Sequence, residues 1–404
     1  SVLAQAPLTI ERAVSLAVAR NERAAAAETT VEAAEARLSR ARTAFFPQLD
    51  VIGSYRNDSA ADTRNTLSSA AVVSQPLFDA RVFPLIRFAR FQRDAVRLSA
   101  DEEKRLLGFD AADAFLRTLS LEQVLLAAGN RREFARESLN DSRARFEAGL
   151  VSSNDVTRAE LELATAERGV AQATGDVQSA RIQLATILNT EIDGPLQMPE
   201  SLLASAASAA AVDQPLVAAA QKQRNDIAAA RFRVEALRAF AEEPSRRFIP
   251  SANLTAQTRN VNEGAISDRN NDGFVGVTLN WPVFDAGIRR ADEAERTAVT
   301  RGAELELQLA LRNVEQQIRT AGVLLTSEQA ALREATAALR AARKNADETN
   351  ELYRQGLASA LELADANQRQ FEAEVAEVTA RYRMAQAYLA LREAGGLDPV
   401  GEDR

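Results

Sequence analysis

The stretch RVFPLIRFARFQRDAVRLSADEEKRLLGFDAADAFLRTLSLEQVLLAAGNRREFARESLNDSRARFEA, Arg81–Ala148, decides the fold. It has no proline beyond Pro84, and its only glycines are Gly108 and Gly129. Counting back from Phe146 in alternating steps of four and three gives Ser142, Leu139, Ala135, Arg132, Ala128, Leu125, Leu121, Thr118, Ala114, Ala111 and Leu107. Eight of those eleven are apolar with alanine counted, which is the recurrence of a coiled-coil seam. As one helix, the 68 residues would run about 100 Å at about 1.5 Å per residue. That is several times an ordinary globular helix and too long to wrap around a compact core. The segment is a strut that packs beside other struts, and it ends at Gly149-Leu150-Val151-Ser152.

The design occurs twice. Ala286 to Gln355 carries a second seam through Leu311, Val314, Ile318, Ala321, Leu325, Leu332, Ala335, Leu339, Ala342, Ala346, Thr349 and Tyr353, interrupted by Glu328, and ends at Gly356-Leu357-Ala358-Ser359. Arg20-Asn21 recurs as Arg224-Asn225, Phe45-Phe46-Pro47 as Phe248-Ile249-Pro250, and Pro76-Leu77-Phe78-Asp79-Ala80 as Pro282-Val283-Phe284-Asp285-Ala286. Ordered matches at a nearly constant offset predict an internal duplication. Helical bias alone does not produce the repeated Pro-x-Phe-Asp-Ala.

Composition narrows the function. The 404 residues include no cysteine and no histidine, so thiolate chemistry, disulfides, and the commonest general base and metal ligand are all missing. An enzyme is not expected, nor a cofactor or a metal. The formal charge of −8 argues against nucleic acid as a partner, since phosphate binding wants a basic face. No apolar run approaches the ~18 residues of a membrane helix. Residues 1–8 read as a tail, and Ala4-Gln5-Ala6 has the small-x-small form of a signal-peptidase site.

In order, a helix capped by Thr9 runs to about Ala44 and stops at Pro47, followed by a hairpin over 48–77, the strut 81–148, a turn at 149–153 and a helix over 154–189. Together 9–190 form the first repeat. A Pro/Gly/Ala/Ser linker covers 191–215. The second repeat, 216–392, has a helix, a hairpin over 251–283, the strut 286–355, a turn at 356–360 and a helix over 360–392, before a tail at 393–404. Asp268-Arg269-Asn270-Asn271-Asp272-Gly273 opens like a calcium loop, but the position that needs a glutamate is Leu279, so an Asx/Gly turn suffices.

Four strands of about ten residues match strands tilted ~45° across a ~30 Å bilayer core. Four alone leave two open edges, which lipid does not tolerate, so closure requires several chains. The alternative is a soluble coiled-coil scaffold without transport activity, which accounts for the seams but not for the strand lengths.

Over essentially its whole length the sequence resembles the TolC family of outer membrane factors. The resemblance rests on the duplicated helix–β-hairpin–long helix–helix order and on the junctions Ser74-Gln75-Pro76-Leu77-Phe78-Asp79 and Asn280-Trp281-Pro282-Val283-Phe284-Asp285-Ala286-Gly287. Gly-Leu-x-Ser after each strut, followed by an acidic residue, completes it. The resemblance implies a mainly α protein with β structure. It implies a homotrimer whose 12-stranded β-barrel in the outer membrane continues into a 12-helix periplasmic α-barrel. It also implies an exit duct for efflux or type I secretion, docked by a periplasmic membrane-fusion adaptor from an inner-membrane pump of RND or ABC type. Many members carry an N-terminal lipidated cysteine, which is not expected in a chain without cysteine.

By the same resemblance, Gly149, Leu150, Ser152, Gly356, Leu357 and Ser359 form the adaptor-docking tip. The glycines equally read as helix C-caps and the serines as N-caps of the returning helices. Glu362 and Asp365, three apart on one helix face, match the acidic ring of the pore constriction, with Asp155 beside them. All three also suit the first turn of a helix electrostatically. Asp155 and Tyr353 match the network that locks the tip. Ala358 stands where that network has an arginine, and Arg158 is the first-repeat equivalent of Asp365.

Overall fold

The computed structural model describes residues 7–57, 65–210, 214–262 and 271–401. The Ala4-Gln5-Ala6 site and the Asp268-Arg269-Asn270 start of the loop that resembles a calcium site lie outside the described residues. The elements are α1 (Ile10–Arg20), α2 (Glu22–Arg42), β1 (Gln48–Asn57), β2 (Asn65–Phe78), α3 (Val82–Glu147), α4 (Ser153–Leu188) and α5 (Glu200–Ser208). They continue with α6 (Gln214–Gln223), α7 (Asn225–Ala241), α8 (Glu243–Arg246), β3 (Ser251–Asn262), β4 (Asn271–Asn280), α9 (Ile288–Arg354) and α10 (Ala360–Gly395). They divide into two compact units: Ser1–Ala27 with Asp101–Arg224 and Leu311–Arg404, and Glu28–Ala100 with Asn225–Ala310.

The first unit is helical. Thr9 caps α1 by accepting from the Arg12 amide. The uninterrupted helix expected over 9–44 is instead divided at Asn21. Its extended backbone ends α1, its side-chain oxygen accepts from the Arg23 amide, and its Nδ2 donates to the Ile187 carbonyl. Phe115, Leu116, Leu107, Leu184, Leu188 and Ile10 are fully buried in the core cluster beside Phe109 and Tyr382, with Ala13, Ala17 and Ala111 letting the helices approach closely. The segment 191–215 is not a bare linker. Leu8 bonds to Pro195 and Gln197 across a short parallel bridge, and α5 buries Leu202 and Ala206. The C-terminal turn of α10 is held by arginines. Arg105 donates to the Leu397 carbonyl at 2.8 Å and pairs with Glu102 at 2.6 Å, while Arg224 donates to the Ala394 carbonyl at 3.0 Å.

The seams follow the pattern with one correction. In α9, Val314, Ile318, Ala321, Leu325, Leu339, Ala346 and Tyr353 are buried. In α3, Leu107 through Leu139 keep the stripe, but Phe146 is exposed; Ser142 is buried and Arg145 half-buried instead. A straight helix drifts about 20° per heptad from a 3.5-residue repeat, so a count anchored at one end misphases the other.

The second unit holds a four-stranded antiparallel sheet in the order β1-β2-β3-β4. The register pairs Leu49 with Val73, Val51 with Ala71 and Tyr55 with Leu67, then Val73 with Ala256, and Leu254 and Ala256 with Val277 and Val275. Cross-strand partners share a face, so these residues and Leu279 lie on one mainly apolar face, which Gln75, Ser69, Thr258 and Asn260 interrupt. The opposite face carries Gln48, Asp50, Ser54, Arg56, Ser68, Ser74, Asn253, Thr255 and Gln257, together with an Arg259–Asp272 pair at 2.6 Å. Both faces are largely solvent-exposed in the single chain. β4 begins at Asn271 and ends at Asn280, so the hairpin expected over 251–283 ends three residues early. Trp281 precedes Pro282, which has no amide to extend a ladder, and its indole N–H donates to the Phe248 carbonyl at 3.0 Å.

Where the strands give way to helices, Glu243 is buried against Arg247 at 2.9 Å and Arg296 at 2.7 Å. Burial alone would raise its carboxyl, but hydrogen bonds from the two guanidiniums outweigh that and hold it below its ordinary value. Phe88–Phe240 and Phe91–Phe232 contacts, with centroids 5.0 and 6.2 Å apart, seat α3 on α7.

Candidate functional site

Two helix turns of the first unit and the exposed sheet of the second are the features that a globular core does not require. Each strut ends the same way. Gly149 and Gly356 have φ of 73° and 74°, in the left-handed region that glycine enters without strain. Leu150 N donates to Arg145 O at 2.9 Å and Leu357 N to Leu352 O at 2.8 Å, closing the last turn of each helix. The two leucines then stand in solvent, 74% and 72% exposed.

Serines and acids start the returning helices. Asp155 Oδ2 accepts from Ser152 N at 3.0 Å and Ser152 Oγ at 2.9 Å. Glu362 Oε2 accepts from Ser359 N at 2.7 Å and Ser359 Oγ at 2.9 Å, while Ser359 Oγ accepts from Glu362 N. These reciprocal bonds are capping boxes. The Ser359 amide, then its hydroxyl, hold the Glu362 carboxyl below its ordinary value, so it is charged at neutral pH. Asp365 is exposed and pairs with Arg369 one turn later at 2.9 Å. The two acids expected to share a ring thus differ: one is tied to the backbone, the other partly offset by a cation.

Asp155 and Tyr353 do not bond to each other. Tyr353 is 5% exposed and its hydroxyl has no hydrogen-bond partner among the described residues. Its ring is covered by Arg145, whose guanidinium carbon lies 4.6 Å from the ring centroid. Arg145 also donates to the Tyr353 carbonyl at 3.2 Å and pairs with Asp141 at 3.2 Å. It therefore ties α3 to α9 just before both turns. Beside it a cavity of about 500 Å³ is lined by Phe134, Asp141, Asn350, Leu363 and Asn367 among others. Sequence reasoning missed Arg145. Its signal is its place three residues after the seam position Ser142, where the stripe drifts onto it.

The sheet supplies the other half. Its mainly apolar face is exposed on β1 and β4 and half-buried at Ala71, Leu254 and Ala256, and the outer edges of β1 and β4 pair with nothing among the described residues. No described helix is long and apolar enough to cross a membrane.

Comparison with known proteins agrees with this arrangement. The outer membrane efflux protein family matches residues 13–190 and 216–397. The cobalt-zinc-cadmium resistance protein CzcC of Cupriavidus metallidurans is 26% identical over 347 residues, 81% of this chain and 79% of that protein. The outer membrane protein TolC of Vibrio cholerae is 23% identical over 381 residues, 90% of this chain and 85% of that protein. Among solved structures, CusC superposes with a TM-score of 0.82 at 18% identity, covering 96% of this chain and 92% of that one. The open state of the MtrE outer membrane channel of Neisseria gonorrhoeae gives 0.79 at 20% identity, covering 97% and 91%. A match over residues 13–190 and 216–397, joined to the TolC-like fold, makes the chain an efflux channel protein of the outer membrane whose long helices lie in the periplasm: it belongs to the outer membrane efflux protein family.

Proposed function

We propose that the chain is one third of a passive duct. Three copies close a 12-stranded β-barrel in the outer membrane and continue as a 12-helix α-barrel in the periplasm. The observation that carries this reading is the two-faced sheet with two bare edges. Its apolar face suits lipid, its polar face with the Arg259–Asp272 pair suits a water-filled lumen, and β4 of one copy can pair with β1 of the next. Internal duplication is supported by α3 and α9 at 66 and 67 residues, by α4 and α10 at 36 each, and by helix breaks at both Arg20-Asn21 and Arg224-Asn225.

The turns 149–153 and 356–360, with Leu150 and Leu357 outermost, dock a periplasmic membrane-fusion adaptor serving an inner-membrane pump of RND or ABC type. Glu362, Asp365 and Asp155 from three copies line the constriction and favour cations. The tip is held shut near Tyr353. The chain itself catalyses nothing and needs no cofactor. Purification in detergent tests the assembly: a species of three 43.8 kDa chains that conducts in planar bilayers is the expected result. A monodisperse monomer in detergent-free buffer would overturn it and favour the coiled-coil scaffold.

A further inference from the structure

Side chains on a strand alternate between its two faces, so the register assigns each sheet residue to one face or the other. The face opposite Leu49, Val51 and Tyr55 is built largely of serine, threonine, asparagine and glutamine, with the smaller apolar residues Ile52, Ala70 and Val72 among them. Its charges are Asp50, Arg56, Arg259 and Asp272, two of each sign, so it holds no net charge with which to sort ions.

One large side chain breaks this pattern. Phe274 stands opposite Gln257 on that face, the sole aromatic there among the described residues, and is 56% exposed. The ring does not hang free. Two of its carbons lie 3.8 and 3.9 Å from the point where a Cβ on Gly276 would stand, two residues along the same face. The ring is thus laid against bare backbone, and the absent side chain at Gly276 leaves room for it. On the outer side of Phe274 the Arg259–Asp272 pair, at 2.6 Å, ties up both charges. Phe274 lies three residues inside the loop end of β4, about 7–8 Å deep at a strand tilt of 35–45°.

We infer that Phe274 is a specificity-determining residue of the duct: its ring is a stacking platform, in the outer part of the lumen, for solutes with a flat aromatic surface. The inference rests on reading this face as the lumen wall of a membrane barrel. A single exposed ring is ordinary on a protein surface. This one is braced and faces the path of the solute, and closure by three copies sets three such rings around one channel. Strongly hydrated inorganic ions gain nothing from the platform, whereas an aromatic solute exchanges water on two apolar surfaces for ring contact. Because the face has no net charge, that contact is the difference the wall makes between solutes.

Single-channel currents in planar bilayers test this with ethidium, a planar aromatic cation, and tetraethylammonium, a cation of the same charge without a ring. Each is added on the loop side of the assembled protein. Ethidium should interrupt the current, and its mean dwell should shorten about 2–10-fold in Phe274→Ala. Phe274→Leu, which keeps bulk over Gly276 but no ring, should shorten it as well, and stands in if the alanine variant does not assemble. Tetraethylammonium should respond to neither change. The chain has no cysteine, so Phe274→Cys introduces a unique thiol. A charged, water-borne methanethiosulfonate should react with it and lower the conductance in one step per copy. Three results overturn the platform while sparing the duct: a conducting wild type that ethidium leaves undisturbed, dwell times equal in wild type and both variants, or an introduced thiol reached by a lipid-soluble maleimide and not by the aqueous reagent. A preparation that does not conduct at all removes the duct reading itself.

Discussion

Replacing Tyr353 by phenylalanine separates two ways of holding the helix turns together. A buried hydroxyl without a partner costs about 1–3 kcal/mol, and Tyr353 carries one. Tyr353→Phe keeps the ring under Arg145 and removes that cost, so the tip should be unchanged or tighter by about 1 kcal/mol. Arg145→Ala removes three things. The partly desolvated cation–π contact is worth about 1–2 kcal/mol. The charged bond to the Tyr353 carbonyl adds about 1.5 kcal/mol. The pair with half-exposed Asp141 is screened and contributes about 0–1 kcal/mol. A loss near 3 kcal/mol is a factor of about 150 in a local opening equilibrium. Hydrogen exchange followed by mass spectrometry on peptides covering 353–360 reads that equilibrium in the assembled protein. Tyr353→Phe should exchange at the wild-type rate or more slowly, and Arg145→Ala about a hundredfold faster. If Tyr353→Phe opens the turn as much as Arg145→Ala does, a hydroxyl bond such as one to Asp155 carries the closure, and the arginine clasp is refuted.

Other outcomes follow from single contacts. Gly396 has φ of 77°, and a Cβ there would lie 2.8 Å from Arg224 Cγ, so Gly396→Ala should cost about 2–3 kcal/mol in thermal unfolding. Gly149→Ala meets nothing and should cost only the left-handed penalty of about 1 kcal/mol; equal losses would show that Arg224 is not what the added methyl meets. Glu243→Gln should destabilise at neutral pH. Because the native carboxyl is held below 4.5, its contribution is present above that pH and is lost as pH falls through the native value. Denaturation series should therefore show the full gap between variant and wild type at pH 7 and a gap that narrows as pH is taken progressively below 4.5. Glu362→Ala with Asp365→Ala should lower cation selectivity in planar-bilayer reversal potentials, and Arg369→Ala, which frees Asp365, should raise it. Unchanged selectivity in both would remove these residues from the pore lining.

Periodicity made the struts legible, because an apolar stripe that returns every 3.5 residues from Leu107 to Leu139 suits a long helix packed against its neighbours and suits no strand or loop. The strands were legible by alternation wherever polar and apolar residues were distinct, as in β3, and shifted by three residues where Trp281-Pro282 ended the ladder early. The breaks at Asn21 and Arg224 were visible only as a repeated Arg-Asn pair. Nothing in local propensity marks them, because the Asn21 turn is fixed by a long-range bond to Ile187. The segment 191–215 looked like a linker from its prolines, yet Leu196 and Leu202 belong to the core. At the tip the sequence indicated the caps but not the clasp. Whether Arg145 reaches Tyr353 depends on the crossing of two helices, which neither helix encodes alone.

The two bare edges of the sheet have a further consequence. β1 and β4 are different sequences, so in the proposed ring the contact between copies would be head-to-tail, and a head-to-tail joint fixes its copy number only if the rotation per subunit divides a full circle. In that ring the twist accumulated across four strands would act as the counter. A bulge or glycine that altered it would not simply weaken the ring; it would yield open ribbons that grow without end.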